Sequence, residues 1–166
     1  MQSLVIMGVA GCGKSSLGAA VAHDHGMTLL EGDERHSPAS RAKMGQGIAL
    51  TDDDRAGWLD TLADELAARP RGLVVTCSAL RRAYRDRLRR GLPTLRFVFL
   101  DIDRAQAQAR VAARPGHFFS ASLVDSQFAT LESPVGEPGV LRVDALAPLD
   151  QLRAEVAAWL QEQEHA

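Results

Sequence analysis

Short, largely apolar runs alternate along the chain with longer stretches in which apolar residues recur every three to four positions. The short runs are Ser3–Met7, Thr28–Leu30, Leu73–Cys77, Leu95–Leu100 and Val140–Val143. Runs of that length without polar alternation predict strands buried on both faces. Helical spacing covers Lys14–His25, Thr51 to the residues before Pro70, Leu80–Arg90, Asp103–Arg114, Ser122–Leu131 and Leu149–Gln163. Thr51 is a good N-cap, and Asp52, Asp53 and Asp54 fill a first turn where the helix dipole favours negative charge. His36–Leu50 reads as polar and irregular, broken by Gly45 and Gly47, and Pro134–Gly139 reads as loop. Strands separated by helices, without hairpin signals, predict βαβ units and a parallel sheet covered on both faces. The expectation is one α/β domain over residues 1–166.

Composition narrows the function classes. Of the 166 residues, 46% are hydrophobic and 24% charged, which excludes a disordered or low-complexity chain. A net charge of −2 gives no global attraction to nucleic acid or to anionic membrane. The apolar runs are far shorter than the roughly 20 residues a membrane span needs. Cys12 and Cys77 make no disulfide framework, so a reducing, cytoplasmic setting is expected. Arginines number seventeen against two lysines, Lys14 and Lys43. A lysine retained against that bias marks a position suited to a compact ammonium rather than a planar fork.

Gly8-Val9-Ala10-Gly11-Cys12-Gly13-Lys14-Ser15 matches G-x-x-x-x-G-K-[ST] between a predicted strand and a predicted helix that continues through Ser16. Glycines let phosphate oxygens approach backbone N–H groups, and the helix directs free amides and its positive end at the anion. Lys14 is suited to the β- and γ-phosphates, and the Ser15 hydroxyl to Mg²⁺. The loop predicts a nucleoside triphosphate site. A GTPase would need an N-K-x-D segment together with D-x-x-G, and the chain lacks N-K-x-D. Asp101, ending the Leu95–Leu100 run, is a candidate metal carboxylate of the ATPase type. Cys12, beside a helix N-terminus and a lysine, is a candidate reactive thiol whose modification would block nucleotide. Glu31-Gly32-Asp33 follows the second strand, whose end lies near such a loop. A carboxylate there can accept a hydroxyl proton and aim the oxygen at the γ-phosphorus, where positioning matters more than basicity. Six arginines between Arg81 and Arg90 raise a nucleic-acid reading. Asp86 interrupts the run and no aromatic platform accompanies it, so a solvated helix face is expected instead.

With these residues in view, the sequence resembles the gluconokinases. The matching stretches are Met7–Ser15, Gly32-Asp33 with His36, Lys43-Met44, Leu50 with Asp52–Arg55 and Trp58-Leu59, Cys77–Leu80 with Tyr84–Asp86, Arg114 with Gly116–Phe119, and Ser126–Phe128 with Leu131-Glu132 and Pro134. Ala10, Ser37, Ser40 and Ala49 depart from the residues common in that family. The resemblance implies a P-loop kinase of the shikimate-kinase-like group, a three-layer αβα sandwich on a parallel five-stranded sheet, with a small lid over about 114–126. It implies phosphorylation of D-gluconate at its 6-hydroxyl using ATP and Mg²⁺, and a homodimer. By the same resemblance Asp33 holds the acceptor hydroxyl as proton acceptor and Glu31 steadies Mg²⁺ through water. Arg55 meets the substrate carboxylate, while His36, Lys43 and Arg81 contact substrate. Arg110 and Arg114 fold over the phosphates, and residues 144–148 form the adenine-side loop. Two other readings stay open: a kinase for another small sugar acid or polyol, and a nucleotide-binding regulatory module without transfer.

Overall fold

The computed structural model describes residues 1–113 and 121–165. Its strands are β1 (Leu4–Met7), β2 (Thr28–Glu31), β3 (Leu73–Thr76), β4 (Arg96–Asp101) and β5 (Val140–Asp144). The helices are α1 (Lys14–His25), α2 (Pro38–Gly45), α3 (Asp52–Ala68), α4 (Arg82–Arg89), α5 (Arg104–Ala112), α6 (Ala121–Thr130) and α7 (Leu149–Glu164). The strands form one five-stranded sheet in the order β2-β3-β1-β4-β5, and every pairing is parallel. β1, β3 and the centre of β4 are buried on both faces because helices cover them, whereas the edge strands β2 and β5 are partly exposed.

Strand alternation divides the core in two. Leu4, Ile6, Val74, Val98 and Leu100 pack with Leu17 and Val21 of α1, Val111 of α5 and Leu152, Val156 and Leu160 of α7. Val5, Met7, Val75, Phe97 and Phe99 face the other way, onto Trp58, Leu59, Leu62 and Leu66 of α3 and Leu88 of α4. All four residues of β1 are fully buried, and each such side chain contributes about 1.5–3 kcal/mol of hydrophobic stabilisation. The central strand therefore anchors the phosphate loop that follows it.

Two boundaries differ from the sequence expectation. The segment expected to be irregular contains α2, which Ser37 starts by accepting a hydrogen bond from the Ser40 N–H, with Pro38 in the first turn. Proline suits that position because its missing N–H would have had no helical partner. Helix α4 begins at Arg82, not Leu80, because Ala79 takes a φ of 47° and Arg81 is extended. At α3, Thr51 and Asp54 make the reciprocal capping box. Of the lid expected over 114–126, residues 114–120 lie outside the described residues, and the rest fall in α6. No helix among the described residues is long and apolar enough to cross a membrane.

Candidate active site

The C-terminal ends of β1, β2 and β3 point to one edge of the sheet, where parallel α/β folds gather ligands. Residues 8–13 leave β1 as a loop, and Gly13 caps α1 in the left-handed conformation (φ 96°, ψ 26°) with no side-chain hydrogen bond to the helix. A residue with a Cβ is strained there, and the capless N-terminus leaves its amides to an anion. The Lys14 ammonium donates to the Gly8 and Val9 carbonyls at 2.9 and 3.1 Å, which holds it folded over the loop. Cys12 is 1% exposed beneath that loop, so its thiol is not offered to reagents as the sequence suggested.

Glu31 ends β2 beside the loop. The Ser15 and Thr76 hydroxyls donate to its Oε2 at 3.1 and 2.5 Å, and Thr76 Oγ1 also accepts the Gly32 N–H at 3.3 Å. Ser15 and Glu31 thus present the hydroxyl and carboxylate oxygens that a hard cation such as Mg²⁺ takes, directly or through water. Thr76 escaped the sequence reading. Its signal was a hydroxyl at the end of β3, where an ATPase would carry aspartate. Gly32 is required by contact, since a Cβ there would lie 2.2 Å from the Thr76 carbonyl oxygen.

Asp33, in the 3-10 turn Gly32–Arg35, lines a cleft with Lys14, His36, Arg55, Trp58 and Gln127. Burial works to raise the Asp33 carboxyl, but the His36 imidazole 3.6 Å away and the charges of Lys14 and Arg41 outweigh it and hold the group below its ordinary range. His36 stacks on Trp58 with ring centroids 4.0 Å apart, and Trp58 Nε1 donates to the Gly32 carbonyl at 2.7 Å. The His36 Nδ1 is buried with no hydrogen-bond partner among the described residues. Arg55 reaches the cleft from α3 while its Nη1 donates to the Tyr84 hydroxyl at 3.3 Å, and that hydroxyl donates to Asp52 at 2.5 Å. The Tyr84–Asp52 pair positions Arg55, a support that spacing alone did not reveal.

Other expected residues sit elsewhere. Lys43 pairs with Asp54 at 2.8 Å, tying α2 to the start of α3 and drawing the Asp54 carboxyl down to about 2. Arg81 is exposed at the head of α4 and does not line the cleft. Arg110 is directed to the opposite side of the phosphate loop: it donates to the Gly11, Cys12 and Ala145 carbonyls at 3.3, 3.4 and 3.1 Å. There it borders a second cavity of about 420 Å³, walled by Gly13, Ser16, Ala145, Ala147 and Leu149. The 144–148 loop therefore flanks the phosphate loop, with apolar walls suited to a nucleobase. Arg114 lies outside the described residues. Asp101 ends β4, the strand beside β1, where it accepts from Arg142 of β5 at 3.0 Å and lines neither cavity. The α4 arginines are not uniformly solvated, since Arg85 is fully buried. It pairs with Glu137 at 3.1 and 2.6 Å and donates to the Ala79 and Glu132 carbonyls.

A phosphate loop, a hydroxyl–carboxylate pair and an aspartate-bearing cleft on this sheet define a P-loop kinase. Residues 4–134 match the family described as the AAA domain. The chain is 42% identical over 150 residues to the thermoresistant gluconokinase of Escherichia coli strain K12, covering 88% of this chain and 86% of that protein. Among solved structures, a gluconokinase from Sinorhizobium meliloti 1021 superposes with a TM-score of 0.86 at 44% identity, covering 98% of this chain and 97% of that one. A sugar kinase from Janibacter sp. HTCC2649 gives a TM-score of 0.91 at 40% identity, covering 97% and 95%. The chain belongs to the gluconokinase family.

Proposed function

We propose that the chain phosphorylates D-gluconate at its 6-hydroxyl with ATP, giving 6-phospho-D-gluconate, and that Asp33 orients the attacking oxygen. The observation that carries this reading is the cleft that Asp33 and Arg55 share with the phosphate-loop lysine, Lys14. Asp33 is ionised at neutral pH and accepts the hydroxyl proton, while its fixed direction matters more than its basicity because the transition state is loose. Lys14 turns from the Gly8 and Val9 carbonyls to the β- and γ-phosphates. Arg55, held by Tyr84 and Asp52, meets the substrate carboxylate with its planar fork. The unpaired His36 Nδ1 supports a contact to a gluconate hydroxyl. Bound Mg²⁺ would neutralise charge developing on the phosphates. Ser15 and Glu31 are its protein partners, with Glu31 acting through water. Arg110 serves the base end of the nucleotide, and Arg114 the phosphates. A cytoplasmic homodimer belongs to the same reading.

Steady-state kinetics with gluconate and a panel of related sugar acids and polyols tests the substrate, and Asp33→Ala tests the mechanism. The expected result is turnover with gluconate well above the panel. Asp33→Ala should retain ADP affinity within threefold and lose about 10²–10⁴ in kcat. Preference for another acceptor would replace gluconate. Unchanged transfer in the variant would remove Asp33, and nucleotide binding with no transfer to any acceptor would favour a regulatory module.

A further inference from the structure

The Ala10 N–H donates to Oε1 of Gln127 at 2.6 Å, across 117 residues of chain. Ala10 is the third residue of the phosphate loop, whereas Gln127 belongs to α6 and lines the cleft that holds Asp33 and Arg55. One amide of an anion-binding loop is therefore paired with a neutral carboxamide that reaches in from the acceptor side. We propose that Gln127 reads the terminal phosphate of the nucleotide: its carboxamide oxygen holds the Ala10 amide, and a γ-phosphate displaces it where a diphosphate does not. This rests on the assignment of residues 8–15 to nucleotide and of the cleft to acceptor.

Position supports the assignment. The cavity suited to a base lies against Cys12, Gly13 and Ser16, and the acceptor cleft lies against Lys14 and Gln127. Phosphates laid along the loop run from the first to the second, so the terminal one arrives beside Asp33. The amide already engaged by a cleft-lining side chain is at that end. Chemistry supports it as well. A phosphate oxygen accepts a charge-assisted hydrogen bond, roughly twice as strong as one to a neutral carboxamide. Exchange of partner at Ala10 is favourable only when a third phosphate reaches it. Leu123 and Ser126, on the same helix, also line the cleft, so the exchange takes place where the acceptor binds.

The test is calorimetric titration of the full chain with ADP and with the β,γ-imido analogue of ATP, for the wild type, Gln127→Ala and Gln127→Glu. Removing one neutral competitor should raise affinity for the analogue about three- to tenfold in Gln127→Ala, with ADP changed less than twofold. In Gln127→Glu the carboxylate grips the amide harder and repels the terminal phosphate. Affinity for the analogue should fall about tenfold or more, with ADP within threefold. A fall in analogue affinity in Gln127→Ala would overturn the proposal, as would equal changes for both ligands in either variant. ADP binding reports folding in each variant, and Gln127→Glu decides the matter if Gln127→Ala binds neither ligand. Lys14→Ala separates the underlying assignment, because unchanged ADP affinity there would remove the nucleotide loop itself rather than the role of Gln127.

Discussion

Replacing Arg85 by alanine should be the most damaging single change on α4. The guanidinium makes two bonds to Glu137, at 3.1 and 2.6 Å, and one each to the Ala79 and Glu132 carbonyls, at 2.8 and 3.0 Å. Arg85→Ala leaves those carbonyls without their donor. It also leaves a carboxylate that is 6% exposed with Arg89, 3.0 Å away, as its remaining cation. Breaking a buried pair of this kind costs about 3–5 kcal/mol, a large part of the roughly 5–15 kcal/mol that holds a domain folded. At about 2–4 °C per kcal/mol for a chain of this size, the melting midpoint should fall by about 6–20 °C. Arg82→Ala, exposed on the same helix, should stay within about 0.5 kcal/mol. Because Arg85 anchors Ala79 between the cleft-lining Ser78 and Leu80, Arg85→Ala should also raise KM for gluconate at temperatures where it remains folded. Scanning calorimetry or fluorescence melts of the two variants side by side decide the point. A midpoint for Arg85→Ala within 2 °C of the wild type would refute the argument.

Tyr84→Phe removes the hydroxyl between Arg55 and Asp52, so KM for gluconate should rise about fivefold with kcat within twofold. A loss confined to kcat would separate Tyr84 from Arg55. The Asp33 carboxyl titrates below its unfolded value, so its charge contributes stability that is present above the unfolded value and lost as pH falls through the folded one. Urea titrations of the wild type and Asp33→Asn should therefore differ by a constant amount above about pH 5 and converge below about pH 4. A gap that widens on acidification would show the opposite shift.

Much of the fold is legible in the pattern, because a parallel sheet buried on both faces requires the continuous apolar runs seen at β1, β3 and β4. Helix α2 was hidden because its polar sequence carries no apolar stripe, and its start depends on Ser37 and Pro38 rather than on burial. The phosphate loop and the acidic tripeptide after β2 are local signals, and they meet because β1 and β2 end at the same edge. Lys43, Arg81 and Arg110 illustrate what chain order does not reveal. A cation's charge is read directly, but its partner depends on tertiary neighbours such as Asp54 or the Ala145 carbonyl. Arg85 is the same problem reversed. Among six clustered arginines nothing in the spacing marks the fully buried one, whose carboxylate partner, Glu137, arrives 52 residues later.

The division of the core by the sheet has a consequence for how this enzyme can diverge. The residues packed beneath Trp58 and Tyr84 and those packed beneath α1 and α5 lie on opposite faces of the same strands, as Met7 and Ile6 do within β1. Substitutions far apart with no shared neighbours act nearly independently. A lineage could therefore remodel the packing beneath Trp58 and Tyr84, and with it the preferred sugar acid, while the half that grips ATP carries on undisturbed.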